Sequence, residues 1–298
     1  MSDEAPPVGK AVEMQPGLRR VLAPNPSPMT HWGTNTYLIG TGEVAVVDPG
    51  PEDAGHLAAI LAAVGGARVS HILVTHAHRD HSPLAAALSR ETGAPVLAYG
   101  SPEEGRSAVM QSLSQVGLEG GEGVDTAFTP NDRLRDGDRI KVDGIEIDVI
   151  ETPGHVSGHL AFALGDALLS GDHVMGWAST LISPPDGDLA AFMASCAKLR
   201  DRGEQVYFPG HGAPVPDPAA RLDWLIAHRK GREAAILEHL SAGPATLSDL
   251  TARIYTDTPR QMWPVASRNV LAHLIDLHER GGVRAVPAIS LTAVFTLA

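Results

Sequence analysis

Residues 75–81 read Thr-His-Ala-His-Arg-Asp-His, and this stretch decides how the rest of the chain is interpreted. It begins at the last residue of the apolar run 72–75, which predicts a short buried strand. A helix is predicted shortly after it, over residues 83–90. Three imidazoles and a carboxylate in so short a stretch are difficult to pack into a core without partners. Neutral imidazole and carboxylate are good ligands for zinc and its first-row neighbours. The stretch therefore predicts a metal site rather than a solvated turn.

Three later strands end in similar motifs. The strand predicted over residues 145–150 precedes Thr-Pro-Gly-His at 152–155, the strand over 167–170 precedes Gly-Asp-His at 171–173, and the strand over 205–208 precedes Pro-Gly-His-Gly at 209–212. Glycine and proline shape the tight turns that follow strands. Because a layered α/β fold brings strand ends to one rim, we expect these distant side chains to converge on the 75–81 turn.

The composition of the 298 residues, with 43% hydrophobic and 19% charged side chains, is that of a globular protein. The formal charge of −12 argues against non-specific binding of nucleic acid, because phosphate binding needs clustered cations. The single cysteine, Cys196, excludes an intrachain disulfide and a cysteine-rich zinc module, and we expect it to be buried. The first residues lack the features of a secretory signal, and no window reaches the roughly 18 apolar residues of a membrane span. We therefore expect a cytoplasmic protein with no membrane partner.

Two domains are predicted from the order of the elements. Residues 1–216 contain an extended, proline-rich entry segment and then short strands alternating with helices. This order favours two sheets covered by helices over a helical bundle. Residues 217–298 contain a helix over 221–232, three further helical stretches and a terminal β-hairpin over 283–297. Helices followed by a hairpin in this order are typical of a winged-helix module.

The predicted winged-helix module shows little sign of nucleic-acid binding. Residues 217–298 carry nine Lys and Arg against eight Asp and Glu, and the helix predicted over 265–280 has no net charge. A helix that reads nucleic acid normally carries a basic surplus. We therefore expect the module to cover the active-site face or to form a homodimer through this carboxy-terminal domain. Thr246 and Asp249 have the spacing of a capping box at the start of one of its helices.

These motifs in this order resemble the metallo-β-lactamase superfamily of binuclear hydrolases, over roughly residues 30–216. The winged helix makes the chain similar to the lactamase-beta-like branch, whose animal members include a mitochondrial endoribonuclease. The resemblance implies an α/β fold of the αββα sandwich type, followed by the small winged-helix domain. It also implies a first metal held by His76, His78 and His155 and a second held by Asp80, His81 and His211, with Asp172 bridging the two.

The chemistry implied by this ligand set is metal-assisted hydrolysis. We expect two divalent cations, with zinc as the first choice and manganese or iron as alternatives, because all accept nitrogen and oxygen ligands. Paired cations lower the pKa of a shared water to about 7, and the hydroxide attacks an electrophilic carbon or phosphorus. Asp80 and Asp172 are the expected catalytic carboxylates. Asp48, at a predicted strand end, is expected to support a histidine ligand.

Three neighbouring features have less definite roles. His159 resembles a residue that supports a ligand, with a structural histidine as the alternative. His173 follows Asp172, and the alternation of side chains along a strand should direct it away from the metals. The loop over residues 177–188 is interpreted as a simple connection, with a wall of the substrate pocket as the alternative.

The leading hypothesis is a dimetal hydrolase that acts on a small ester, a thioester or a related acyl compound, so that a small molecule is the expected partner. A metal-dependent endoribonuclease of the lactamase-beta-like type is the enzymatic alternative, with RNA as its substrate. A winged-helix regulator with a degenerate catalytic domain is the non-enzymatic alternative. The complete set of ligand residues argues against this last hypothesis.

Overall fold

The computed structural model describes residues 4–121 and 123–298. Within these ranges the chain forms two β-sheets that pack face to face, helices that cover the outer face of each sheet, and a smaller carboxy-terminal module. The predicted αββα sandwich and the predicted winged helix are both confirmed.

The first sheet is built from the amino-terminal strands. In the described part of the chain its strands are, in spatial order, β1 (Ala11–Gln15), β2 (Leu18–Leu22), β3 (Asn35–Ile39), β4 (Glu43–Val47), β5 (Arg68–Leu73), β6 (Val96–Ala98) and β7 (Asp132–Arg133). The first four strands pair antiparallel and the last three are added in parallel. Parallel strands need crossover connections. The helices α1 (Ala54–Val64), α2 (Leu84–Thr92) and α3 (Ala108–Gln115) lie in these crossovers.

The second sheet follows in the chain and packs against the first. Its strands in the described residues are, in spatial order, β8 (Arg139–Val142), β9 (Ile145–Glu151), β10 (Leu160–Leu164), β11 (Ala167–Gly171) and β12 (Val206–Pro209). The strands β8 to β11 pair antiparallel, and β12 is parallel to β11. Helix α4 (Leu189–Arg200) forms the crossover between these last two strands and covers the outer face of the sheet.

Alternating side chains along each strand explain the layered packing. In β4, Val47 points into the core between the sheets, whereas Val46 points outward to the core under α1 and α2. In β10, Phe162 points into the core between the sheets, whereas Ala161 faces the core under α4. The central strands of both sheets are thus buried on both faces, and the loops at the strand ends are the parts available for a site.

Helix α5 (Pro218–Ser241) connects the sandwich to the carboxy-terminal module. Leu225 packs in the core outside the second sheet, and Ile236 packs in the core of the module. The prediction of separate helices in this region is wrong, because the helix continues through Gly231. A glycine inside a helix costs about 1 kcal/mol, which packing at both ends of α5 outweighs. Neither α5 nor any other helix in the described residues is long and apolar enough to cross a lipid bilayer.

The carboxy-terminal module combines three helices with a small sheet. After α5 its elements are β13 (Ala245–Thr246), α6 (Leu247–Ile254), α7 (Trp263–Glu279), β14 (Val283–Val286) and β15 (Val294–Leu297). The predicted capping box is confirmed, since the Thr246 hydroxyl accepts a hydrogen bond from the Asp249 amide and the Asp249 carboxylate accepts one from the Thr246 amide. The domain boundary at residue 216 stays a prediction.

Six strands of the described residues lie in segments for which no strand was predicted: β1, β2, β7, β8, β10 and β13. β1 lies in the entry segment that was expected to be extended, and it pairs with β2 at one edge of the first sheet. β8 pairs with β9 at one edge of the second sheet and alternates exposed and buried residues. Edge strands of four or five residues have a weak hydrophobic signal, because only one face of so short a segment is buried.

Candidate metal centre

The candidate ligands lie at one rim of the sandwich, where strands of both sheets end. The 75–81 turn follows β5 in the first sheet. In the second sheet His155, Asp172 and His211 follow β9, β11 and β12. These three strands run in the same direction, because β9 and β11 each pair antiparallel with β10 and β12 is parallel to β11. Their carboxyl ends therefore meet at one edge.

Three histidines, His76, His78 and His155, form the first ligand group. The Nε2 atom of His76 lies 3.0 Å from Nδ1 of His78, and Nε2 of His155 lies 3.1 Å from the same atom. Two nitrogens that bind one zinc ion at about 2.0–2.1 Å with tetrahedral angles lie about 3.3 Å apart. The spacing of the ring nitrogens therefore fits a single cation.

The surroundings of the first group keep its imidazoles neutral. Burial lowers the pKa of all three histidines, to about 3 for His78, and neighbouring histidines add to the effect for His76 and His78. Nδ1 of His155 donates to the carbonyl oxygen of Leu181 at 2.7 Å. Because a carbonyl oxygen only accepts hydrogen bonds, the ring proton of His155 lies on Nδ1. Its Nε2 presents a lone pair to the site, which is the form that binds a metal.

The second ligand group consists of Asp80, His81, Asp172 and His211. The Nε2 atoms of the two histidines lie 3.2 Å apart. Nε2 of His211 lies 3.1 Å from a carboxylate oxygen of Asp80 and 3.3 Å from one of Asp172. The buried Oδ1 atom of Asp172 accepts no hydrogen bond from the described residues. Because a buried carboxylate oxygen needs a partner, this atom fits a cation at the centre of the group.

The charges of the second group depend on one another. Burial alone would lower the pKa of His211, but the carboxylates of Asp172 and Asp80 more than offset it and raise the pKa to about 9. The same two carboxylates raise the pKa of His81 well above its usual value despite its burial. Burial would raise the pKa of both carboxyls, yet the two histidines hold the pKa of each well below its usual range.

Asp172 lies between the two groups. One of its carboxylate oxygens is 3.9 Å from Nε2 of His155 and 3.3 Å from Nε2 of His211. Gly210 leaves room for this arrangement, since a Cβ atom at that position would lie 2.7 Å from the ring of His81. The structure thus brings all seven candidate ligands into two adjoining groups. Their bonds to metal ions stay a prediction.

Asp48 lies behind His81 and orients its ring. The carboxylate accepts hydrogen bonds from Nδ1 of His81 at 2.9 Å and from the hydroxyl and the amide of Thr75, each at 2.7 Å. Its backbone has a φ of +49°, in the left-handed region that aspartate tolerates better than most residues. Because Nδ1 of His81 is held in this way, its Nε2 faces the second group.

His159 and His173 point in different directions. The amide of Asp172 donates to Nε2 of His159 at 3.2 Å, and Nδ1 of His159 donates to the Thr152 hydroxyl at 2.8 Å. His159 therefore supports the backbone of the central carboxylate. His173 points away from the site, with its Nε2 3.6 Å from Sγ of Cys196. Burial raises the pKa of this thiol to about 12.

A cavity of about 290 Å³ opens onto both ligand groups. The side formed by the ligands includes His78, Asp80, His155 and Asp172. The opposite walls are mostly apolar and are formed by Met29, Leu181, Pro264 and Val265, with Ser183 and Arg268 as polar members. Leu181 and Ser183 belong to the loop 177–188. The interpretation of this loop as a simple connection is therefore wrong, because it forms one wall of the cavity and supplies the carbonyl that orients His155.

Several contacts of the site were missed by sequence reasoning. The carbonyl oxygens of Leu181 and Gly33 accept the ring N–H groups of His155 and His211, at 2.7 and 3.1 Å. A backbone carbonyl has no residue signature, so no sequence signal marks these acceptors. The Thr75 hydroxyl bridges Asp48 and His76. This contact could have been predicted, because Thr75 adjoins the ligand motif in the sequence.

Two family models match the chain in the order of its two parts. The model described as the metallo-beta-lactamase superfamily matches residues 29–211, and the model described as the beta-lactamase associated winged helix domain matches residues 246–288. The chain is 31% identical to the Beta-lactamase-like protein 2 homolog of Drosophila melanogaster, over 89% of each chain. It is 27% identical to the atrochrysone carboxyl ACP thioesterase of Aspergillus chevalieri, over 86% of this chain and 79% of that protein.

Solved structures have the same architecture. The metallo-beta-lactamase family protein TTHA1429 from Thermus thermophilus superposes with a TM-score of 0.76 at 30% identity, over 96% of this chain and 100% of that chain. A beta-lactamase domain protein from Burkholderia ambifaria has a TM-score of 0.82 at 22% identity, over 100% and 96%, and shows the fold alone. TTHA1623 in a di-iron-bound form has a TM-score of 0.50 at 26% identity, over 70% and 96%.

Proposed function

The chain belongs to the metallo-beta-lactamase superfamily and is a metal-dependent hydrolase, and from this premise we propose that it hydrolyses a small thioester or a related acyl ester. One observation carries the proposal. A small cavity with mostly apolar walls lies directly against the two ligand groups. The acyl part of a substrate would pack against these walls while its carbonyl carbon faces Asp80 and Asp172.

The two ligand groups fit a pair of divalent cations. We assign one cation to His76, His78 and His155, the other to Asp80, His81 and His211, and a place between them to Asp172. When bound, such cations lower the pKa of a coordinated water to about 7 and polarise the scissile carbonyl oxygen. Zinc is the first choice because five of the seven donors are imidazoles, which zinc binds well. Iron and manganese accept the same donors, and iron is the metal named for TTHA1623.

The carboxylates of the chain would orient the attacking water. Asp80 lines the cavity, and its side chain is 27% exposed, against 9% for Asp172. Both carboxyls are ionised at neutral pH, because His81 and His211 hold their pKa low. An ionised carboxylate only accepts hydrogen bonds. We therefore assign the Asp80 carboxylate to accept a hydrogen bond from one O–H group of the water, with the water oxygen directed at the substrate carbonyl.

The same two carboxylates favour a thioester over an oxygen ester or an amide. Because both are ionised in the resting site, neither brings a proton of its own for a leaving group at neutral pH. A thiol has a pKa of about 8.5 and leaves as a thiolate without prior protonation. An alkoxide or an amide anion is far more basic and needs a proton as it departs. A site with ionised carboxylates is thus best matched to a thiolate leaving group.

Arg268 adds a positive charge to the cavity wall. It lies on α7, and its Nη2 atom donates to the carbonyl oxygen of Glu119 at 2.9 Å. A guanidinium binds carboxylates and phosphates through paired hydrogen bonds. Because this guanidinium is already bound within the chain, we assign it to the cavity wall and not to a substrate group.

Three further observations support a small acyl substrate over RNA. The cavity is at the lower end of the range of small-molecule sites, which is about 300–1,000 Å³. Among the described residues that line it, Arg268 is the one that carries a guanidinium or ammonium group. In addition, relatives of the chain include a protein named as an ACP thioesterase. RNA cleavage would need a broader basic surface.

The test is a panel of substrates presented to the metal-loaded protein. It contains N-acetylcysteamine thioesters with and without a terminal carboxylate, the matching oxygen esters, a lactam and single-stranded RNA. We expect the thioesters to have a higher kcat/KM than the oxygen esters, the lactam and the RNA. The His76→Ala variant should lose about 10³-fold in kcat/KM, because a lost metal removes several kcal/mol of transition-state stabilisation.

His239→Ala is the matched control for this loss. His239 lies in the last turn of α5, outside both ligand groups, so its replacement should leave hydrolysis unchanged. Cleavage of RNA together with no turnover of any acyl compound would contradict the proposal and favour the endoribonuclease.

A further inference from the structure

A buried hydrogen-bond network joins the carboxy-terminal helices to the loop beside the ligands. Arg229 lies on α5 and Asn269 lies on α7. Oδ1 of Asn269 accepts hydrogen bonds from Nη1 of Arg229 at 3.0 Å and from the amide of Ile182 at 3.1 Å. Nη2 of Arg229 donates to the carbonyl oxygen of Thr180. The two side chains therefore hold residues 180–182 by their backbone.

Residues 180–182 in turn contact one candidate ligand from each group. The carbonyl oxygen of Leu181 accepts the Nδ1 hydrogen bond of His155 at 2.7 Å. The hydroxyl of Thr180 donates to the carbonyl oxygens of Asp172 and His173, at 2.8 and 3.0 Å. His155 belongs to the first group, and Asp172 belongs to the second group and lies next to the first. A shift of this short segment would therefore displace both.

The burial of Arg229 is difficult to explain by stability alone. Its side chain is 2% exposed, and among the described residues its hydrogen-bond acceptors are the neutral oxygens of Asn269 and Thr180. The guanidinium also lies 5.3 Å from the centre of the Phe192 ring. Removing a guanidinium from water without a carboxylate partner is unfavourable, and apolar residues of similar size often stabilise a core better. Fixing the backbone of residues 180–182 is a role that an apolar side chain does not fill.

We propose that Arg229 and Asn269 are positioning residues for the metal centre. They hold residues 180–182 so that Leu181 sets the ring orientation of His155 and Thr180 fixes the backbone of Asp172. This inference rests on the metal-dependent function proposed above. It makes the carboxy-terminal module part of the hydrolytic centre, because both side chains come from its helices.

The test compares Asn269→Leu with Asn269→Asp in the metal-loaded protein. Leucine removes the acceptor oxygen, whereas aspartate keeps it. The measurement is the transfer of bound metal to a competing chelator, together with the visible spectrum of the protein loaded with Co²⁺. We expect Asn269→Leu to weaken metal binding by about 10- to 100-fold and to change the spectrum, as is usual when the support of a ligand is lost. Asn269→Asp should stay close to the unsubstituted protein in both measurements.

Leu274→Ala is the control for a purely structural role. Leu274 is fully buried in the core of the module, and its truncation should lower the melting temperature without changing metal affinity. Asn269→Leu with unchanged metal affinity would overturn the proposal. An Asn269→Asp variant that loses metal as readily as Asn269→Leu would overturn it as well.

Arg229→Lys keeps the proposal testable if Asn269→Leu does not fold. Lysine keeps the charge but lacks the planar fork that reaches Asn269 and Thr180 together. We expect weaker metal binding in this variant, and unchanged binding would overturn the proposal. The same measurements distinguish a failure of the proposed metal-dependent function from a failure of the proposed positioning role. An unsubstituted protein that binds no metal contradicts the function, whereas normal binding in every variant contradicts only the positioning.

Discussion

The two ligand groups lie side by side but differ in charge. The first group contains three histidines whose pKa values are lowered by burial. The second pairs two carboxylates with two histidines whose pKa values are raised. The first group therefore offers neutral lone pairs, while the histidines of the second must release protons before they bind a metal. Burial and neighbouring charges, and not residue type, therefore set the protonation state of a histidine ligand.

The largest effect is expected at the residue that both groups share. Asp172→Ala should remove at least one of two metal equivalents and lower kcat/KM by about 10³-fold, because several kcal/mol of stabilisation are lost with the metal. Elemental analysis and hydrolysis assays measure the two effects. Asp80→Ala is the comparison variant and should keep the metal of the first group. Full metal content in Asp172→Ala would show that this carboxylate does not join the groups.

A smaller and more selective effect is expected from Asp48→Asn. Asp48 contacts His81 directly and reaches His76 only through Thr75. Its replacement should therefore lower the affinity of the second group for its metal by about 10- to 100-fold. The affinity of the first group should fall less. Stepwise removal of the two metals by a chelator measures both affinities. An equal loss of affinity for the two metals would contradict the contact assigned to Asp48.

The pH dependence of metal binding should separate the groups without a substitution. The pKa of His211 is raised to about 9, so this histidine holds a proton at pH 8 and at pH 7 that a metal must displace. Affinity for the second metal should therefore fall about tenfold per pH unit for each proton released as the pH is lowered. The pKa of His78 is about 3, so affinity for the first metal should be nearly constant over this range. Titration of chelator-treated protein with Zn²⁺ at both pH values measures the difference.

The smallest effect is expected from His173→Gln. His173 adjoins Asp172 in the chain but lies outside the second group. Burial and the neighbouring His155 lower the pKa of His173 to about 3, so its ring is neutral, as a glutamine side chain is. The ring contacts Cys196 and Phe192 instead of the ligands. Metal content and hydrolysis should be unchanged, while the melting temperature falls slightly because of altered packing. Loss of a metal equivalent would mean that His173 belongs to the group after all.

The amino-acid sequence was sufficient to predict the layered fold and the candidate ligands. Each of His155, Asp172 and His211 follows a short strand at a turn that contains glycine, and this pattern is local in the chain. Asp48 was found in the same way. Features with a local signal are predictable, because propensity, alternation and turn chemistry act over a few residues.

The tertiary structure alone decided what surrounds those ligands. It joins the predicted separate helices into α5, turns the loop 177–188 into a cavity wall, and brings Asn269 of α7 within hydrogen-bond distance of that loop. It also lowers the pKa of His78 and raises that of His211, although both are histidines that follow strands. These properties depend on burial, on nearby charges and on backbone carbonyls from distant segments. Such quantities exist only once the chain has folded, so the identity of the ligands lies in the sequence and their charge and support lie in the fold.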